Sequence, residues 1–226
     1  MKLAITHLVL STATFGLMLA VPQNAQASGL IRSVTATAPG FTTGAQGSLD
    51  ATTNGFGLEG PPLNRPTLTG NHAPTNAGTN PNAWRSSIPA TGAIGNVTIN
   101  FAFGRIYNLA GFSFWNLNGV SGINTVTIQY SSNNGGNWTT LTDPGVPAFF
   151  TGRPTMGAVS AQQVSFSPVY ATNVRFINMS NHGGTGGNYR LGFNEIQFTS
   201  IPEPSTTLAL LALGLAGMGL GLRKRI

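Results

Sequence analysis

Val97-Thr98-Ile99-Asn100-Phe101-Ala102-Phe103 alternates along its length, so that Val97, Ile99, Phe101 and Phe103 fall on one face. That is the pattern of a β-strand with one side in a core. A short Gly104 to Asn108 connection leads to a second apolar run, Leu109 to Trp115. Thr125 to Tyr130 alternates again, with Val126, Ile128 and Tyr130 on one face. Asn133-Asn134-Gly135-Gly136 is a turn signal, and Trp138 to Leu141 returns from it. Gln163 to Phe166, Asn173 to Asn178 and Leu191 to Phe198 complete the series. No window longer than a turn has helical periodicity outside the two chain ends. Strands at this spacing, without helices between them, predict an all-β antiparallel sandwich.

The first half reads differently. An early strand is expected around Leu30 to Thr37, followed by long loops to Pro89, rich in Gly, Pro, Asn and Thr with isolated apolar residues. Loops of that length are uncommon unless functional or disordered. The chain has no cysteine, so neither a disulfide framework nor thiol chemistry is available and the core alone must hold the fold.

Both ends read as addresses. Lys2 opens a short basic region, Leu8 to Val21 is mostly apolar, and Ala25 and Ala27 supply the small-x-small pattern of a signal peptidase site. Residues 1–27 are therefore expected to be a signal peptide. At the other end Pro202-Glu203-Pro204 presents a carboxylate on extended backbone, because each proline fixes its own φ and keeps its predecessor out of the helical region. Ser205 to Leu222 is 18 residues long, enough to cross a bilayer as a helix, and Arg223-Lys224-Arg225 follows. By the positive-inside rule that cluster stays cytoplasmic. Removing the targeting segments changes the charge argument. Of eleven basic residues seven arginines remain between Ser28 and Pro204, against five acids, so the exported part carries about +2. Those arginines are scattered singly, which excludes the basic stripe of a nucleic-acid binder.

Pro202, Glu203, Pro204, the apolar run and Arg223, Lys224, Arg225 together resemble the PEP-CTERM sorting signal, over residues 201–226. The resemblance implies a Gram-negative, exopolysaccharide- or biofilm-forming cell and a membrane enzyme, exosortase, that cuts near the Pro-Glu-Pro. It further implies passage across the inner membrane, a transient single-pass anchor, and a final place at the cell surface or in the extracellular matrix. An ordinary C-terminal anchor would predict the same orientation.

Phe112-Ser113-Phe114-Trp115-Asn116, Val126 to Ser132, Asn133 to Thr139, Val174-Arg175-Phe176 and Gly192 to Phe198 resemble a discoidin-type domain, the galactose-binding-like jelly roll also called the coagulation-factor type C fold. Gly70-Asn71 and Trp84-Arg85-Ser86 resemble the loop that leads to a Trp and the first core strand. A domain over 68–200 follows, with 28–67 as its early strand and loops. Members of that family are mostly binding modules for glycans or lipid headgroups, and many hold a structural calcium ion through loop oxygens and a Glu of the last strand. Glu195 matches that Glu, with Asn71 as a neighbour; the acid often found before the loop Gly is Thr69 here. Glu195 as a plain acceptor for loop amides is the alternative.

For a glycan site the aromatic and polar candidates are Trp84 with Arg85, at a loop end, and His182 with Tyr189, around the glycine-rich Gly183 to Gly187. Their alternatives are a packing Trp and a solvated histidine. Trp115 and Trp138 read as structural. The five acids are isolated in sequence and the two exported histidines lie 110 positions apart, so neither a glycosidase pair nor metal-ligand spacing is visible. Two functions stay open: an exported, non-catalytic module that binds exopolysaccharide, and a self-associating structural protein of the envelope or biofilm. The intact mass of the mature protein from its host is expected to lack both ends, with the new C-terminus near Pro204. A mass that retains Arg223 to Arg225 would leave a membrane-tethered domain instead.

Overall fold

The computed structural model describes residues 29–42, 45–59, 67–74, 82–87, 96–152, 157–183 and 190–201. The signal-peptide residues Ala25 and Ala27, the tail residues Pro202, Glu203, Pro204, Arg223, Lys224 and Arg225, and Tyr189 lie outside them. Eleven strands are described: β1 (Gly29–Leu30), β2 (Thr35–Thr37), β3 (Gln46–Gly47), β4 (Asn71–His72), β5 (Trp84–Arg85), β6 (Ile99–Asn116), β7 (Thr127–Ser131), β8 (Thr139–Thr140), β9 (Val159–Ser160), β10 (Gln162–Ile177) and β11 (Gly192–Ser200). A 3₁₀ turn covers Asp50–Thr52. No helix of the described residues is long and apolar enough to cross a membrane.

Two long strands organise the rest. β6 and β10 run antiparallel over almost their whole length, from Phe114 opposite Gln162 to Phe176 opposite Ile99. The pair folds over on itself. Residues 99–102 of β6 and 173–176 of β10 belong to one layer, which β2 extends on one side and β7 and β8 on the other. Residues 109–116 of β6 and 162–165 of β10 belong to the second layer, with β11, β5 and β3 beyond them and β1 also paired to β11. The fold is thus the antiparallel sandwich expected, with both layers cut from one strand pair.

The expected connection at Gly104 to Asn108 is not a loop. β6 continues through it, and Tyr107 to Leu109 pair with Val169 to Ala171 at the corner where the layers meet. Gly104 has φ +72°, a conformation that costs a residue with a Cβ about 1–2 kcal/mol, so the glycine turns the strand without ending its ladder. On β10 the register shifts between Ser165 and Val169, and Pro168, which has no N–H to donate, sits inside that shift. Strands that change sheets through bulges are the usual corners of β-sandwiches. For the same reason Gln163 to Phe166 and Asn173 to Asn178, read separately from the sequence, are parts of one strand.

Between the layers lies a core of rings. Phe101 packs 5.3 Å from both Phe176 and Phe198, and Phe112 lies 5.9 Å from both as well. Phe114 stacks on Phe150 at 4.0 Å with 22° between the planes. The early segment joins this core: Ile31, Ala36, Ala38 and Leu49 are buried in it. Outside the second layer, β4 pairs with β9, and Leu58 and Val159 cover Trp115. Ser113 Oγ donates to Leu68 O at 2.7 Å and Trp115 Nε1 to Gly70 O at 3.0 Å, so the segment before β4 is stitched to the back of β6. Trp138 is half-buried on the β7–β8 hairpin, with the Arg175 guanidinium 4.2 Å from its ring centroid and Gly135 against its edge.

Phe101→Ala removes a fully buried ring packed against Phe176, Phe193 and Phe198 and is expected to cost about 3–5 kcal/mol of unfolding free energy. Val120→Ala, at an exposed loop position, is expected to stay within about 0.5 kcal/mol. Urea denaturation monitored by tryptophan fluorescence checks both, and a Phe101→Ala cost under about 1 kcal/mol would remove the ring cluster as the basis of stability.

Candidate functional site

The folded pair β6–β10 sorts the chain's loops to two ends. Ile99, Asn116, Gln162 and Ile177, the four termini of those strands, share one end, while the corner at Gly104 to Asn108 forms the other. At the first end Asn116 is the organiser. It is buried, its Oδ1 accepts the N–H groups of Leu117 and Ile123 at 3.0 and 2.8 Å, and its Nδ2 donates to the carbonyls of Ile123 and Thr151 at 2.7 and 3.1 Å. One amide therefore holds the 117–123 loop and the 149–152 segment together, satisfying polar groups that would each cost about 1–3 kcal/mol if left buried and unpaired. Gly122 fits because a Cβ there would lie 2.9 Å from that Oδ1.

Single bridges tie this loop to its neighbours: Gly122 with Gly192 of β11, Ile123 with Asn181, and Thr125 with Phe149. Thr125 and Ser180 share a hydroxyl bond of 2.6 Å. Extended backbone turns neighbouring side chains to opposite sides, and here it sends Phe150 inward at 0% exposure and Phe149 outward at 62%. Phe149 is the most exposed large apolar side chain of the described residues. The sequence reading passed over it because two adjacent Phe residues carry no alternation; the signal available was the Asp143-Pro144-Gly145 turn before them.

His182 lies at the same end. Its N–H donates to Gly122 O at 3.2 Å, its ring rests against Gly152, and its buried Nε2 has no partner among the described residues. Arg85 is half-buried: one Nη donates to Gln46, while its Nε is buried without a partner among the described residues. Burial, and then the charge of Arg190, lower its pKa. Arg190 donates to Ser86 O at 2.7 Å. Trp84 is otherwise placed: at 1% exposure it packs edge-on to Phe193, 6.2 Å away, and offers no surface for a ligand. His182, Arg85 and Arg190 thus surround the loop end, and the aromatic there is Phe149.

The calcium candidates part company. Glu195 is fully buried on β11, where its Oε1 accepts the Gly55 N–H at 3.0 Å and the Gln197 amide, while Oε2 has no partner among the described residues. Burial pushes its pKa well up, and the two donors only partly oppose this. The orphaned oxygen suits one ligand position of a cation. Asn71 is exposed on β4 opposite Ser160, with its carbonyl accepting the Glu59 N–H at 2.7 Å, and no hydrogen bond joins it to Glu195. Among the described residues no group of three or more His, Cys, Asp or Glu side chains could hold a metal.

The F5/8 type C domain model matches residues 62–191, more than half of the chain. The chain belongs to the F5/8 type C domain family. This is the discoidin-type jelly roll of the resemblance, and the β-sandwich described above is its fold. The tail of this F5/8 type C protein matches the PEP-CTERM protein-sorting motif over residues 200–225. No curated protein matches the sequence. Similar solved structures include a family 32 CBM from C. perfringens NanJ in complex with galactose, at 15% identity and TM-score 0.44 over 77% of this chain and 100% of that one. A family 89 glycoside hydrolase from Clostridium perfringens in complex with PUGNAc is 20% identical, TM-score 0.44, over 78% of this chain and 16% of its own. Truncated AlyQ with CBM32 and alginate lyase domains is 14% identical, TM-score 0.49, over 80% and 35%.

His72 is fully buried at the back of the second layer. Its Nδ1 faces Ala73 O at 2.8 Å and its Nε2 faces Phe56 O at 3.2 Å. Burial lowers its pKa from the ordinary 6.5, with both carbonyls and Glu59 acting the other way. A histidine with a depressed folded-state pKa contributes stability that is present above 6.5 and lost as pH falls toward the folded value. The melting temperature is therefore expected to fall from pH 7 to pH 5, and less so in His72→Gln. Equal slopes in the two proteins would mean that the ring is not the titrating group.

Proposed function

We propose that this is an exported, non-catalytic polysaccharide-binding protein of the cell surface or extracellular matrix, carried there by its PEP-CTERM motif and processed by exosortase after signal peptidase has removed the N-terminal segment. The ligand is an exopolysaccharide of the producing cell or its biofilm. The observation that carries this reading is the exposed Phe149 ring on a loop end held in place by Asn116. A sugar's apolar face stacks on such a ring, and hydroxyl groups then meet His182, Arg85 and the loop backbone. Family membership supports the same reading, since the discoidin resemblance is to binding modules. The acids of the described residues do not gather there: Glu59 and Glu195 belong to the other side of the second layer, Asp50 lines a groove with Arg32, and Asp143 accepts the Gly145 and Ser167 amides.

The calcium expectation carries forward on Glu195 alone. Its Oε2 supplies one oxygen, and a calcium ion needs about six to eight, so loop carbonyls would have to provide most of the others. Calcium is expected to raise the melting temperature of the native chain and leave Glu195→Gln unchanged; an equal rise in both would remove Glu195 as a ligand.

Phe149→Ala is expected to weaken binding to the host's exopolysaccharide at least about tenfold, near 1.4 kcal/mol, without changing the melting temperature. Affinity electrophoresis in gels with and without the polysaccharide measures it. Retardation equal to that of the native protein would move the site elsewhere, and no retardation of either protein, with self-association in the absence of sugar, would favour the structural reading.

A further inference from the structure

The end opposite Phe149 holds a different surface. β1 begins and β11 ends there, Gly29 opposite Ser200, and Ile201 is fastened to the corner by its N–H on Asn108 O at 2.9 Å. Between them and the corner of β6 opens a cleft of about 660 Å³ whose walls include Arg32, Arg105, Ile106, Tyr107, Ser200 and Ile201. Arg105 lies over the Tyr107 ring, 4.7 Å from its centroid. Arg32 and Arg105 are both exposed and neither makes an ion pair among the described residues. Among the described acids, Asp50 lines an adjoining groove together with Arg32. Ile106 beside them is 47% exposed, and Tyr170, paired with Asn108 across the corner, is 56% exposed.

This combination of exposed guanidinium groups with exposed aromatic and aliphatic side chains suits the interface of a membrane, where arginine and tyrosine place apolar stems inward and polar tips at headgroup level. Position supplies the second argument. Six residues lie between Ile201 and Leu208, where the apolar run begins, and at full extension the seven steps from one to the other span about 25 Å. While the tail is seated in a bilayer, the cleft cannot be farther than that from its surface. We propose that the Arg32–Arg105 cleft docks on anionic lipid headgroups of the membrane that holds the tail, before the tail is cut. The contact is electrostatic and reversible, since two arginines without a lipid anchor are a weak attachment. It orients the domain with its corner down and the Phe149 end away from the bilayer. The inference rests on the sequence reading of the tail as a membrane segment and is independent of glycan binding.

The test uses the full chain reconstituted in vesicles. Because the protein has no cysteine, Tyr170→Cys offers a single site for a fluorophore, and Val120→Cys offers one at the opposite end. Lipids carrying a headgroup nitroxide quench a fluorophore held at the bilayer surface. Quenching at Cys position 170 is expected to be at least about twofold greater in phosphatidylglycerol-containing vesicles than in pure phosphatidylcholine, to fall to the phosphatidylcholine level in 0.5 M salt, and to stay low at position 120. The paired substitution Arg32→Gln with Arg105→Gln should abolish the lipid dependence and the paired Arg→Lys substitution should restore it, with melting temperatures unchanged. Equal quenching in both lipids, or an effect indifferent to the paired Gln substitution, overturns the proposal. So does a chain that leaves the vesicles in alkaline carbonate, because its tail is then not seated. Binding of a soluble polyuronate that needs both arginines, without any lipid dependence, also overturns it and makes the cleft an acidic-glycan site.

Discussion

Everything in this domain hangs on the antiparallel pairing of β6 with β10 through the corner at Gly104 to Asn108. A single ladder serves both layers, so the register chosen at one end fixes which side chains meet across the core at the other. A slip of one residue along β6 would turn Phe101, Phe112 and Phe114 outward together. The corner tolerates the bend because the positive φ of Gly104 and the register shift around Pro168 absorb it locally. The loop end inherits that precision: Asn116, the last residue of β6, reaches the Ile123 and Thr151 carbonyls only because the strand beneath it is fixed.

With no disulfide to restrain the unfolded chain, the core must supply the stability, and it does so with stacked and edge-on phenylalanines whose pairs are each worth about 0.5–1.5 kcal/mol beyond their buried area. Against that gain stand the polar residues sealed inside the second layer and its cover. Asn116 is fully repaid by four hydrogen bonds. Glu195 is not, since its Oε2 is left without a partner among the described residues. A buried carboxyl in that state either keeps its proton or meets a cation.

The strands were legible because one face of each is buried, which writes a period of two into Val97 to Phe103 and Thr125 to Tyr130. Continuity was not legible: glycine, arginine and asparagine at 104–108 look like a turn, and only pairing with β10, remote in sequence, shows that the strand goes on. The candidate site was partly readable. Arg85 and His182 do stand at the loop end, whereas Trp84 resembles a platform in sequence and is consumed by packing on Phe193. Phe149 carried no periodic signal, because its outward orientation depends on Phe150 stacking on Phe114 far along the chain. Trp138, read as structural, is clasped between Gly135 and Arg175.

β11 runs the length of the sandwich, from Gly192 beside the loop end to Ser200 at the corner where the chain leaves toward its tail. A ligand gripped at one end and an attachment at the other would therefore pull along this strand. Its ladder bonds to β6 lie across that direction, so a load meets them side by side rather than peeling them one after another. The strand that links the two ends of the molecule is thus also the one arranged to bear tension.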